Sequence, residues 1–238
     1  MTARQDLESI FRAAVAACHP SRGVPAHLPQ PPKGSTILLA VGKAACGMAR
    51  AVEQNWETAL SGLAIVPHGA AEPLQQIKCV TASHPVPDEA SFTAAERLLA
   101  LARQAGPDDL VLVLLSGGAS ALACLPNEGL SLADKQALTA TLLRSGAPIE
   151  EINAVRRHLS RIKGGRLARA THPARIVTLV ISDVVGERPE DIGSGPTVAD
   201  PTTLADARAI LGRYGIAAPR SGWSETVKPG EAAEWNAD

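Results

Sequence analysis

Leu110-Val-Leu-Val-Leu-Leu-Ser116-Gly-Gly-Ala-Ser120 decides the fold. Six consecutive apolar residues without alternation mark a strand buried on both faces, as in parallel sheets covered by helices on each side. The two glycines that follow let the backbone turn tightly and let a ligand approach with no Cβ in the way. A helix starting there would offer free N–H donors and a partial positive charge, which suits phosphate or carboxylate. An ordinary βα turn would look the same locally.

Working outward, Thr36–Val41 and Ile176–Ile181 are apolar runs of the same kind, and Leu63–Val66 and Ile77–Val80 are shorter strand candidates. Helical stretches lie between them. One runs from Gly42 to about Leu60. Asp88–Gln104 carries Phe92, Ala95, Leu99 and Ala102 on one face. Ser131 caps a helix that has Asp134 in its first turn and ends at Gly146. Ile149–Ala170 is helical with an interruption at Gly164-Gly165, and Asp200-Pro201 opens a helix that ends at Gly215. At the N-terminus Leu7, Ile10, Phe11, Ala14, Val15 and Cys18 form one face of an amphipathic helix. His19–Gly34, with five prolines and two glycines, is a connection. Strands alternating with helices build right-handed βαβ units, hence an α/β domain with a mostly parallel sheet. We place that domain at residues 1–220. Residues 221–238, polar and without periodicity, are expected to be a linker-like tail.

Composition narrows the function. Apolar residues make up 45% of the 238, which suits a packed globule. Twenty-three Lys+Arg against 24 Asp+Glu leaves no basic surplus, and aromatics are only 3%. Both facts argue against nucleic-acid binding. No apolar run approaches the ~18 residues of a membrane span. Cys18, Cys46, Cys79 and Cys124 form no C-x-x-C pair and are expected to be reduced thiols of a cytoplasmic protein.

In open parallel sheets ligands bind beyond the carboxyl ends of the strands. Four such ends carry Gly42-Lys43, Ser83-His84-Pro85, Ser116–Ser120 and Ser182-Asp183. Lys43 is a cation where a helix dipole disfavours one, which points to contact with an anion or a phosphoryl group. Asn153, Arg156, Arg157 and His158 lie on the helix before Lys163-Gly164-Gly165, the first three within about one helical turn. Alone they would be a charged outer face. Asp183 follows a buried strand and could cap a helix or hold Mg²⁺. His84 could be a base or a structural loop residue. Gly193-Ser-Gly-Pro-Thr197 could close over a ligand or be a turn.

Together, Val41-Gly-Lys-Ala-Ala45, Ser83-His-Pro-Val-Pro-Asp88, Leu115–Ser120, Ile152–Gly165 and Ile181–Thr203 resemble the N-terminal domain of class II glycerate kinases. Some members of that family are labelled hydroxypyruvate reductases. The resemblance implies a Rossmann-like three-layer α/β/α domain, with ATP- and Mg²⁺-dependent phosphorylation of D-glycerate to 2-phosphoglycerate. It implies a site shared with a second α/β domain. Lys43 and Asp183 would be catalytic. Ser116, Gly117, Gly118, Ser120, Asn153, Arg156 and Lys163 would bind phosphate or substrate. Asp183 and Glu187 would lie near the metal. The family usually has Asp-Asp-Pro where this chain has Glu187-Arg188-Pro189.

Family members are much longer, and Glu225–Glu231 resembles their interdomain linker, so the second domain and its share of the site are expected to lie outside this chain. Three functions follow: one lobe of a glycerate kinase, an NAD(P)H-dependent hydroxypyruvate reductase, or a non-catalytic anion- or nucleotide-binding module. The absence of G-x-G-x-x-G weighs against the reductase. An exposed cleft rim would also favour a homodimer.

Overall fold

The computed structural model describes residues 2–232. Five strands form one sheet: β1 (Thr36–Val41), β2 (Leu60–Pro67), β3 (Lys78–Ala82), β4 (Leu110–Ser116) and β5 (Arg175–Ile181). Their order is β3-β2-β1-β4-β5 and every pairing is parallel. Chain reversal between β3 and β4 creates a switch point at the carboxyl ends of β1 and β4, where ligands bind in such sheets.

The central strands are buried on both faces because their side chains alternate between two cores. Ile37, Leu39, Val41, Val111, Val113 and Leu115 pack against α4 (Glu89–Ala102) and α8 (Arg166–Thr171). Leu38, Ala40, Leu110, Leu112 and Leu114 pack against α3 (Ala45–Glu53), with Val24 of α2 (Pro20–Ala26) behind it. This is the three-layer α/β/α domain expected.

A third core stands apart from the sheet. Leu138 and Leu142 of α6 (Leu132–Arg144), Ile152 and Val155 of α7 (Ile149–His158), and Ala207, Ile210 and Leu211 of α9 (Leu204–Arg213) pack together. The site lies between this helical cluster and the sheet rim.

Several boundaries differ from the sequence reading. The connection at residues 19–34 contains α2, because Pro20 occupies the first helical turn, where its missing N–H costs nothing, and the His19 side chain caps it. The helix after Gly42 stops at Glu53. Trp56 then inserts its indole toward Thr36, donating to Oγ1 at 3.1 Å. Residues 149–170 form two helices, with Leu159–Gly165 folded between them. The last long helix starts at Leu204, where Thr203 and Asp206 make a reciprocal cap. Asp200, expected to open that helix, is wholly buried instead.

The segment from Ser221 has no helix or strand before Pro229, yet it is pinned to the domain. Val227 is fully buried, its N–H donates to Gly164 O at 3.0 Å, and its carbonyl accepts from Asp200 N–H at 2.8 Å. Residues 233–238, the rest of the expected tail, lie outside the described residues. At the other end, α1 (Ala3–Ala17) keeps its whole apolar face, Leu7, Ile10, Phe11 and Val15, in solvent.

Candidate active site

Two strand-end turns are stitched together at the switch point. The Lys43 N–H donates to Gly117 O at 2.9 Å, and the Ala44 N–H donates to Ser116 Oγ at 3.0 Å. Ser116 is buried and its hydroxyl is committed to this join. The glycines of Ser116–Ser120 answer to crowding. A Cβ on Gly117 would collide with the Asp183 carboxylate, and one on Gly118 would lie 2.8 Å from the His84 ring. Gly118 also has φ 87°, which disfavours any side chain. The diglycine therefore lets Asp183 and His84 close in from two sides.

A cavity of about 670 Å³ opens beneath this turn. It is lined by Ser116, Gly117, Gly118, Ser120, Asn153, Arg156, Lys163 and Asp183, so eight of the sequence-derived site residues come together. Two do not. Lys43 is exposed beside the cavity, with its main chain tied to Gly117. Glu187 is exposed in the loop after β5, with φ 51°, and does not line the cavity.

The helix expected at the turn is a single turn, α5 (Ala119–Leu122), so the macrodipole there is small. Positive potential comes instead from side chains. Lys163 is 2% exposed, and its ammonium donates to Ser120 O at 3.0 Å and to Ala123 O and Gly193 O at 3.4 Å. Burial, aided by neighbouring Lys135, pushes its pKa down to about 7. Burial also lowers the pKa of Arg156. His84 is held below its usual range by burial and then by Lys43, against an opposing pull from Asp183.

Among the lining residues that sequence reasoning missed as site residues are Cys124, Lys135 and Asp191. Ser194 links the cavity wall through hydroxyl contact with Ser120 at 3.0 Å and a donated bond to Asn153 Oδ1 at 3.3 Å. Asn153 in turn donates to Asp191 at 3.2 Å. Lys135 carried a readable signal. It shares a helical face with Leu138 and Leu142, both buried, and a lysine in an apolar stripe calls for a reason.

A parallel α/β sheet with a cation-rich cavity at its switch point defines a domain of the doubly wound class, whose members bind ligands at that point. Residues 6–224 match the family described as a domain of unknown function, DUF4147, and the chain belongs to that family. A relative from Agrobacterium vitis, provisionally named a hydroxypyruvate reductase, is 51% identical over 98% of this chain and 55% of its own length. A D-glycerate 2-kinase from Thermotoga maritima is 45% identical over 92% of this chain and 52% of its own. The crystal structure of a glycerate kinase from the same organism superposes with a TM-score of 0.86 at 42% identity, covering 92% of this chain and 55% of that one. This chain thus spans about half the length of these relatives. Among the described residues no helix is long and apolar enough to cross a membrane.

Proposed function

We propose that this chain is the substrate-binding lobe of an ATP-dependent glycerate 2-kinase, which phosphorylates D-glycerate to 2-phosphoglycerate. The observation that carries the reading is the convergence in one cavity of Ser116–Ser120, Asn153, Arg156, Lys163 and Asp183. Phosphoryl transfer needs positioning and charge neutralisation more than covalent chemistry, and these residues offer both. Arg156 holds anionic oxygens, Lys163 adds positive charge beside them, and the diglycine lets the anion approach the backbone. Lys43, at the rim, meets charge that develops on the transferred group.

The donor set agrees with Mg²⁺. That ion usually takes one or two carboxylates and completes its shell with water and substrate phosphates. Asp183 offers one carboxylate beside Gly117, and among the described residues no three His, Cys, Asp or Glu side chains form a ready-made metal cluster. Asp183 would hold the ion, which would neutralise phosphate charge. Glu187 would reach it only by movement of its loop.

Calorimetry with ATP and with glycerate, beside a coupled turnover assay, tests this reading with the two-lobe Thermotoga enzyme as control. We expect both ligands to bind the 238-residue chain weakly. We expect turnover more than about tenfold below the control, because transfer needs groups and water exclusion from both walls of a cleft. Failure of both ligands to bind would remove the kinase reading. NADH oxidation with hydroxypyruvate would favour the reductase that the Agrobacterium name suggests.

A further inference from the structure

We propose that Lys135, with Arg156 and Lys163, forms a cationic floor that takes a phosphoryl group carrying two or more negative charges, and that its binding draws protons from solvent. This rests on the cavity being the substrate site. Lys135 lines that cavity from α6, Arg156 from α7, and Lys163 from the segment after α7. Lys135 is 4% exposed, and among the described residues its ammonium donates only to Leu159 O, at 2.9 Å. Among the described residues no carboxylate lies within 4.0 Å of any of these three cations. Three cations gathered at one cavity without a counter-charge are costly to a fold. An anion seated among them removes that cost, and a phosphoryl group matches them better than a carboxylate. Arg156 keeps its five N–H donors and Lys135 two of its three, so they outnumber what one carboxylate accepts.

The surrounding groups sharpen the point. Cys124, 3% exposed, lines the same cavity. Arg166, whose hydrogen bonds go to Ser224 and to backbone carbonyls, adds positive charge from below. The two acids on the wall are engaged or remote from the floor. Asp191 pairs with Arg157 at 3.4 Å and Arg188 at 3.6 Å, and Asp183 abuts Gly117 near His84. Burial pushes the Lys135 pKa down to about 8 and that of Lys163 to about 7. Near pH 8 the empty floor is therefore partly unprotonated. A polyanion favours the charged ammonium and pulls protons in.

The test is calorimetry of the 238-residue chain with pyrophosphate at about pH 8, in two buffers of different ionisation enthalpy. The wild-type chain should take up protons on binding. Lys135→Met should weaken binding by about tenfold or more. Lys135→Arg should bind within about threefold of wild type with less proton uptake, because a guanidinium stays protonated. It also controls for folding, alongside a thermal melt of each variant. Undetectable pyrophosphate binding, no proton uptake by wild type, or a Lys135→Met variant that melts normally and binds within about twofold would each overturn the proposal. A chain that binds pyrophosphate in this way but neither ATP nor glycerate keeps the floor and removes the kinase reading. ATP and glycerate binding that Lys135→Met leaves untouched does the reverse.

Discussion

Arg156 and Arg157 are neighbours on α7, and they face two different electrostatic worlds. Arg157 turns into the protein, where its guanidinium lies 3.0 Å from Asp200 and 3.4 Å from Asp191, all three side chains at most 5% exposed. Beside it His158 meets Glu225 at 3.0 Å, and Arg166 donates to the Arg157, Ser160, Ser224 and Glu225 carbonyls. Arg156 turns to the cavity, with Lys135 and Lys163, where among the described residues no carboxylate comes within 4.0 Å of any of the three. Both groups are cations removed from water. In one the chain supplies the counter-charge, so the charges hold the fold. In the other the chain supplies no close carboxylate among the described residues, and the proposed cationic floor would take its counter-charge from a ligand.

The sharpest way to break that contrast is on the paired side. Asp200→Ala should cost about 3–5 kcal/mol, the usual penalty for removing one partner of a buried ion pair. It also removes the acceptor for the Thr202 N–H and hydroxyl, at 3.0 and 2.7 Å. Chemical denaturation should show the loss, and pyrophosphate should not restore it. Rescue by the anion would mean that Arg157 and Arg156 belong to one electrostatic site.

Much of this was readable from residue order. The apolar runs at 36–41 and 110–115 gave β1 and β4 and their parallel pairing, because strands buried on both faces need no alternation. The run at 176–181 reads as buried alike, but it forms β5, an edge strand none of whose residues is buried. The rim followed, since strand ends are where such sheets bind. What could not be read was which cation would find an acid. Arg156 and Arg157 look alike in sequence, and Asp200, 43 positions after Arg157, gives no local sign of its destination. Asp200-Pro201 resembled a helix start because proline is common there. The reciprocal pair of Thr203 and Asp206 won the cap instead, leaving Asp200 free to turn inward. The residues from Ser221 looked like a linker because they carry no apolar period, and their contacts, by backbone to Gly164, His158 and Asp200 and by side chain from Glu225 to His158, are long-range.

A smaller effect should appear on the unpaired side, as a slope. The folded pKa of Lys163, about 7, lies below the unfolded value of about 10.4. Below pH 7 the folded chain carries the buried charge at a cost. Between pH 7 and about 10 the unfolded chain binds more protons, so wild-type stability rises with pH. Lys163→Met lacks that term. Without anions present, the stability of wild type relative to Lys163→Met should increase by about 1–3 kcal/mol from pH 6 to 10. A difference independent of pH would place an undetected acid at Lys163 and erase the contrast with Arg157.

The smallest change in stability belongs to Lys43, which is charged, at the rim and in water. Its fixed contact is made by the main-chain N–H to Gly117 O, and alanine keeps that donor. Lys43→Ala should therefore alter stability by less than about 0.5 kcal/mol, as exposed substitutions away from packing and caps usually do. The electrostatic trace should still be visible, because Lys43 helps burial to hold the His84 pKa down while Asp183 pulls it up. Removing the lysine leaves Asp183 less opposed, so the His84 ring should titrate at higher pH when followed by NMR. If Lys43 meets the transferred phosphoryl group, Lys43→Ala in this chain fused to the second lobe of the Thermotoga relative should lose about 10²-fold or more in turnover, the scale of one lost transition-state donor. Near-normal turnover with a large drop in melting temperature would turn the assignment around. Lys43 would then be a residue of the fold like Arg157, with its counter-charge inside the protein.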